Sequence, residues 1–155
     1  MKTLDFLNNE TINEKLSINL DNYDQFEEYV IYINLWGDNS SILNLVINHN
    51  AKNTKSRIKI RAVLKDQAKL SINGLVKIQK GMKGSDTYFD ARILTLSQHA
   101  TGIIVPSLEI DEMDVKAGHS ASVTNISDRD MFYLTSRGIS IENSTKLIEQ
   151  GFLRK

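Results

Sequence analysis

What most constrains this chain is alternation. From Lys15 onward, apolar and polar residues take turns over short runs separated by polar or glycine-containing segments. Leu16, Ile18 and Leu20 alternate with Ser17 and Asn19. Ile58, Ile60 and Ala62 alternate with Arg57, Lys59 and Arg61, and Leu108 and Ile110 with Glu109 and Asp111. A two-residue period sends successive side chains to opposite faces, so these runs are half-buried strands. Residues 29–36, 42–47, 69–72, 75–78, 88–96 and 103–105 add further runs rich in β-branched and aromatic side chains. Residues 48–56, Asn73-Gly74 and residues 80–85 read as turns between them. The first 15 residues read as a short helix or an extended arm. A single proline in 155 residues leaves the strands almost unbroken. Two architectures need such a pattern, an antiparallel sandwich and a parallel β-helix. Alternation does not separate them, and no clean repeat length is visible.

After Ser127 the period changes from 2 to 3.6. Met131, Leu134 and Thr135 fall at helical spacing with Phe132 beside them, and Ser127 followed by Asp130 reads as a helix start. The first helix is expected over about 128–136, ending near Gly138. Ser140 is expected to cap a second, with Ile141, Ser144, Leu147, Ile148 and Gly151 on one face and Gly151 at its end. The chain therefore divides into a β body, residues 1–126, and a helical segment, residues 127–155.

Composition excludes several classes of function. Nineteen basic residues balance nineteen acidic ones, so no global charge draws the chain to nucleic acid or to an anionic membrane. No apolar run reaches membrane-spanning length, and the N-terminal residues lack the apolar core of a signal peptide, so a cytoplasmic protein is expected. There is no cysteine, hence no disulfide and no thiolate ligand from this chain. No nucleophile elbow and no glycine-rich phosphate loop occurs, and the protein is not expected to be an enzyme.

Five blocks in order, Leu108-Glu109-Ile110, Asp114-Val115-Lys116, His119-Ser120-Ala121-Ser122, Phe132-Tyr133-Leu134 and Ser136-Arg137-Gly138-Ile139, resemble the C-terminal signature of the SufB/SufD family. Those proteins are scaffold components of the SUF iron–sulfur cluster assembly system. Residues 49–56, 62–66 and 74–78 are similar to upstream blocks of the same family, so the resemblance covers roughly residues 42–155. It implies a right-handed parallel β-helix core with a small C-terminal helical segment. It also implies an ABC-type ATPase partner (SufC-like) docking on the helices, with Phe132, Tyr133, Arg137 and Leu147 as partner-binding residues. A homodimer or a pairing with a SufB-like chain is expected, through strands near residues 90–120.

His119 is the candidate metal ligand. By its surroundings alone it is an ordinary strand histidine. The resemblance places it where two scaffold chains meet, and a neutral imidazole there ligates iron only together with ligands from a partner chain. The SufB-like pattern supplies a cysteine at a place that falls near Ala91, and a glutamate next to the histidine region. This chain has alanine and Gly118-His119-Ser120 instead, which makes it SufD-like. No tightly bound cofactor is expected, only a transient iron–sulfur cluster at a subunit interface. Two other readings stand beside this one. Glu109, Asp111, Glu112 and Asp114 would serve a small β-helical carbohydrate-active enzyme, and a metal-free structural dimer would need no ligand. The basic stretch Lys52, Lys55, Arg57, Lys59, Arg61 and Lys65 reads as a solvated or intersubunit face, without interleaved aromatic residues. His49 and His99 are too isolated for a zinc pattern.

Overall fold

The computed structural model describes residues 1–153. Nine strands follow one another without a hairpin: β1 (Lys2–Phe6), β2 (Asn13–Leu20), β3 (Phe26–Leu35), β4 (Ser40–His49), β5 (Lys55–Leu64), β6 (Lys69–Ile78), β7 (Asp86–Thr95), β8 (Thr101–Ile110) and β9 (Lys116–Asn125). Helices α1 (Asp128–Thr135) and α2 (Ile141–Leu153) close the chain. Every pairing is parallel and skips one strand. The order is β1-β3-β5-β7-β9 in one sheet, here sheet A, and β2-β4-β6-β8 in the other, sheet B. Odd strands in one sheet and even strands in the other make a parallel solenoid, in which each coil gives one strand to each sheet. This is the β-helix, and the sandwich is excluded.

Register explains why these sequences stack. Phe26 stands beside Lys55, Lys55 beside Asp86 and Asp86 beside Lys116, steps of 29, 31 and 30 residues. The inward positions form columns: Ile31, Ile60 and Ala91 make one, Ile33, Ala62 and Ile93 the next, all fully buried. Opposite them Leu43 stacks on Ile72 and Ile47 on Val76. Each isoleucine, leucine or valine among them contributes about 1.5–3 kcal/mol when removed from water, and the columns repeat that gain coil by coil.

The structure alters several expectations. Residues 69–78 form one strand, not two around a turn. Gly74 sits inside it because a Cβ there would lie 2.5 Å from Cζ of Phe89, whose ring reaches across the lumen. Asn73 donates to Asn44 Oδ1 at 2.9 Å on the next coil rather than shaping a turn. The N-terminal residues are not helical: they supply β1 and the start of β2. Ser127 does cap α1, its Oγ accepting from Asp130 N at 3.1 Å, and Gly138 takes the positive φ that follows the helix. Gly151, however, does not end α2, which continues to Leu153. The expected face of α2 is split between the seat and solvent. Ser144 is buried, but Ile141 and Leu147 are 69% and 50% exposed. α2 lies on β5, and α1 packs on α2. Among the described residues no helix is long and apolar enough to cross a membrane.

Candidate functional site: the open coil end and its helical cap

The solenoid ends at β8 and β9, each the last strand of its sheet. In a parallel ladder the backbone groups of alternate residues turn to opposite sides of the strand. Thr101 N donates to Ala68 O at 3.0 Å and Asp111 N to Ile78 O at 2.9 Å, so odd-numbered residues of β8 bond to β6. Gly102, Ile104, Pro106, Leu108 and Ile110 then face the free edge. Pro106 breaks that edge at its middle, since it has no N–H to offer. On β9 the parity reverses. Lys116 N donates to Ser85 O at 2.9 Å, and the free edge carries Ala117, His119, Ala121, Val123 and Asn125, without a proline. β9 is the edge open to another strand.

The same odd-numbered residues hold the inward register on β9. His119 stands beside Phe89, Ala121 beside Ala91 and Val123 beside Ile93. One coil earlier these positions are core: Phe89, Ala91 and Ile93 are 1%, 0% and 0% exposed. On the last coil nothing is stacked above them. His119 and Ala121 are exposed, and Val123 and, on β8, Leu108 keep 47% and 36% of their surface. Pro106 continues the column of Gly74, the residue that Phe89 meets across the lumen, so His119 and Pro106 occupy matching places on the two sides of the open end.

His119 offers one imidazole. Among the described residues no group of three or more His, Cys, Asp or Glu side chains is arranged to hold a metal ion. Ala91, where a thiolate would be sought, is buried in the lumen beneath Ala121. An iron–sulfur cluster is held mainly by thiolates, so this chain's donor set fits at most one corner of such a cargo.

The helical cap presents a different surface. Phe132 and Tyr133 are 73% and 54% exposed and do not belong to the core. The Arg137 guanidinium lies 3.7 Å from the centroid of the Tyr133 ring and donates from Nη1 to Tyr133 O at 3.4 Å. A cation over an aromatic face holds both side chains in one posture. Leu147 and Ile141 add exposed apolar surface on α2, so the four expected partner-binding residues all reach solvent. They lie on the helices, apart from His119 on β9.

Other sequence candidates disperse. Glu109 pairs with Lys77 at 2.9 Å on sheet B, whereas Glu112 accepts from Gly81 N at 2.8 Å and Met113 N at 3.0 Å in a turn. Those backbone N–H groups hold the Glu112 carboxyl below its ordinary range. Two members of the basic stretch are answered by carboxylates one coil away, Arg57 by Asp86 at 2.9 Å and Arg61 by Asp90 at 2.5 Å. Tyr88 stands between Asp86 and Asp90 on that face, so an aromatic ring is interleaved after all. Burial alone would raise the Asp90 carboxyl, but Arg61 and then Arg92 overrule it and lower it. Sequence reasoning missed one polar centre. His49 is fully buried, with Nδ1 2.7 Å from Thr54 Oγ1 and Nε2 3.0 Å from Ser56 Oγ. Its only signal was a pair of hydroxyls five and seven residues downstream.

With this geometry in place, the relatives are informative. The family described as "SUF system FeS cluster assembly, SufBD core domain" matches residues 7–152, more than the blocks recognisable by eye. The chain is 38% identical over 117 residues to the iron–sulfur cluster assembly protein SufD of Bacillus subtilis, covering 76% of this chain and 27% of that protein. It is 33% identical over 105 residues to an iron–sulfur cluster assembly SufBD family protein of Staphylococcus saprophyticus, covering 68% of this chain and 23% of that one. The chain thus spans about a quarter of the length of these relatives. The match takes in every strand after β1, the coil end and all but the last residue of α2, and the chain belongs to the SufBD family of iron–sulfur cluster assembly proteins.

Proposed function

We propose that this chain is a SufD-like scaffold or accessory subunit of iron–sulfur cluster assembly, with no catalytic step of its own. The observation that carries this is the open coil end: an unbroken free edge on β9 with His119 in its inward register and no thiolate in the chain. A second scaffold chain, either another copy or a SufB-like partner, pairs along β9 and covers Leu108 and Val123. The nascent cluster is cargo at that shared interface. His119 gives it one nitrogen ligand, and the thiolates come from the partner.

The helical cap is the docking surface for an ABC-type ATPase of the same system, in the cytoplasm. Phe132 and the stacked Tyr133–Arg137 pair supply rigid aromatic and guanidinium contacts of the kind that dominate interfaces. Leu147 extends the patch along α2. Anaerobic co-purification of the tagged chain with the cognate ABC-type ATPase tests this reading, with Phe132→Ala and Arg137→Ala alongside. A stable complex that weakens at least tenfold in either variant is expected, a typical loss for an interface anchor. A complex indifferent to both variants, or none at micromolar concentration, removes the docking role.

A further inference from the structure

The seat of α2 on the solenoid is only half apolar. The less exposed residues of the helix are Ser144, Thr145, Ile148, Glu149, Phe152 and Leu153, of which three are polar and three apolar. Beneath it Val63 and Leu94 point outward from sheet A and are nevertheless 0% and 3% exposed. Two buried polar atoms at this junction, Ser144 Oγ and Asn34 Oδ1, have no hydrogen-bond partner among the described residues. The polar contacts that hold the helix converge on one carboxylate. Glu149 Oε1 lies 2.7 Å from Lys65 Nζ and accepts from Asn34 Nδ2 at 3.0 Å. Beside this contact a cleft of about 370 Å³, lined by Asp66, Ser97, Thr145 and Lys146 among others, runs between α2 and the turns.

These features oppose one another. The apolar pair Val63 and Leu94 and the Glu149 contacts favour the seated helix, whereas the two orphaned polar atoms regain water only when it leaves. α1 has no buried residue and packs on α2, so it gives the seat little further anchorage. We propose that α1 and α2 form a releasable strap: the pair lifts from sheet A as a unit while the solenoid stays folded, and Glu149 is the latch. Lifting bares Val63 and Leu94 on the outer face of sheet A and frees Lys65. The inference does not depend on any partner, and it stands or falls with the isolated chain.

Amide hydrogen exchange on the whole chain at pH 7, followed by mass spectrometry, tests it. Residues 128–153 should exchange through an opening at least a hundredfold more frequent than that of β5 and β6, with α1 and α2 opening together. Glu149→Gln should speed exchange of 141–153 about tenfold, since it removes the charge-assisted contacts of the latch, and leave β5 and β6 unchanged. Ser144→Ala should slow it, by removing an orphaned hydroxyl. Alanine also favours helix, so Asn143→Ala, on the exposed side of α2, is the control for propensity alone. Ser144→Ala must slow exchange more than Asn143→Ala does. The strap is refuted if α2 exchanges only as slowly as β5, if Glu149→Gln leaves 141–153 unaltered, or if the two alanine variants act equally.

Discussion

Lowering the pH should weaken this fold through one buried histidine. His49 ends β4 in the lumen, at a coil corner, with both ring nitrogens engaged. Thr54 Oγ1 donates to Ala51 O at 3.0 Å, so it accepts from His49 Nδ1–H, and Nε2 must accept from Ser56 Oγ. Ser56 in turn is 2.7 Å from Thr87 Oγ1 on the next coil and accepts from it. The donors run in one direction, Thr87 to Ser56 to His49 to Thr54 to Ala51 O, and a neutral imidazole satisfies every step. A second proton on Nε2 would turn that bond around and take from the Ser56 O–H the nitrogen it donates to. Burial of the ring works in the same direction and outweighs the opposing pull of Asp86, so the pKa falls from 6.5 to about 4.

The sign follows from linkage. Between pH 4 and 6.5 the unfolded chain binds a proton at His49 that the folded chain refuses, so stability rises with pH across that window. The contribution is fully present above about pH 6.5 and is lost progressively as the pH falls toward 4. The whole shift corresponds to about 3 kcal/mol, of which about 2 kcal/mol has gone by pH 5. Against a total stability of about 5–15 kcal/mol that is a large fraction. Urea unfolding at pH 7, 6 and 5 reads it directly, and His49→Asn supplies the reference. The variant should be less stable at pH 7, where it breaks the donor chain, yet lose about 2 kcal/mol less than the native chain on going to pH 5. Equal pH dependence in the two proteins would refute the assignment to His49.

Three further perturbations separate parts of the fold. Gly74→Ala should cost about 1–3 kcal/mol of overpacking, because its Cβ would meet the buried Phe89 ring. Combining it with Phe89→Leu should cost less in urea unfolding than the sum of the single variants, and strict additivity would show that the two sites are not in contact. Asp90→Asn strips the counter-charge from Arg61, which is 6% exposed, and should destabilise by about 3 kcal/mol at pH 7. The Asp90 carboxyl is held below 3.8, so its contribution is present above that pH and fades as the pH falls through the folded value. The gap between native and variant urea midpoints should therefore close in strong acid and not between pH 5 and 7. Ala121→Pro removes only a free-edge N–H of β9, as Pro106 does on β8. By light scattering it should shift any assembly formed through β9 toward monomer, with circular dichroism unchanged, and an unaltered assembly would place the interface elsewhere.

What the sequence made legible followed from burial within one strand. Ile58, Ile60 and Ala62 announce an inward face because a lumen tolerates nothing polar there without a partner. What it hid lies one coil away. Register steps of 29, 31 and 30 residues blur the repeat, since the corners differ in length while the strands from β3 to β9 do not. Arg61 and Asp90 are 29 residues apart in the chain and touch in space, so a basic strand looked unanswered when its carboxylates stood on the next coil. Asn73-Gly74 carries the residues of a tight turn, yet the glycine serves a ring across the lumen and the asparagine an amide ladder. For α2 the helical period was plain, but two half-apolar faces competed, and Glu149 meeting Lys65 and Asn34 decided which one turned inward.

His119 joins both cases. Its alternation with Gly118 and Ser120 is the same inward pattern that buries Phe89, and read along the strand it predicts a core residue. The difference is that, among the described residues, no strand follows β9 in its sheet. A solenoid makes its interface where its repeat stops, because the side chains that would fill the next layer of core meet solvent or another chain instead. An imidazole at that place is tolerated where a buried one would need hydroxyls on both nitrogens, as His49 does. The two histidines thus mark the two environments the fold offers, one satisfied within the chain and one exposed at the coil end.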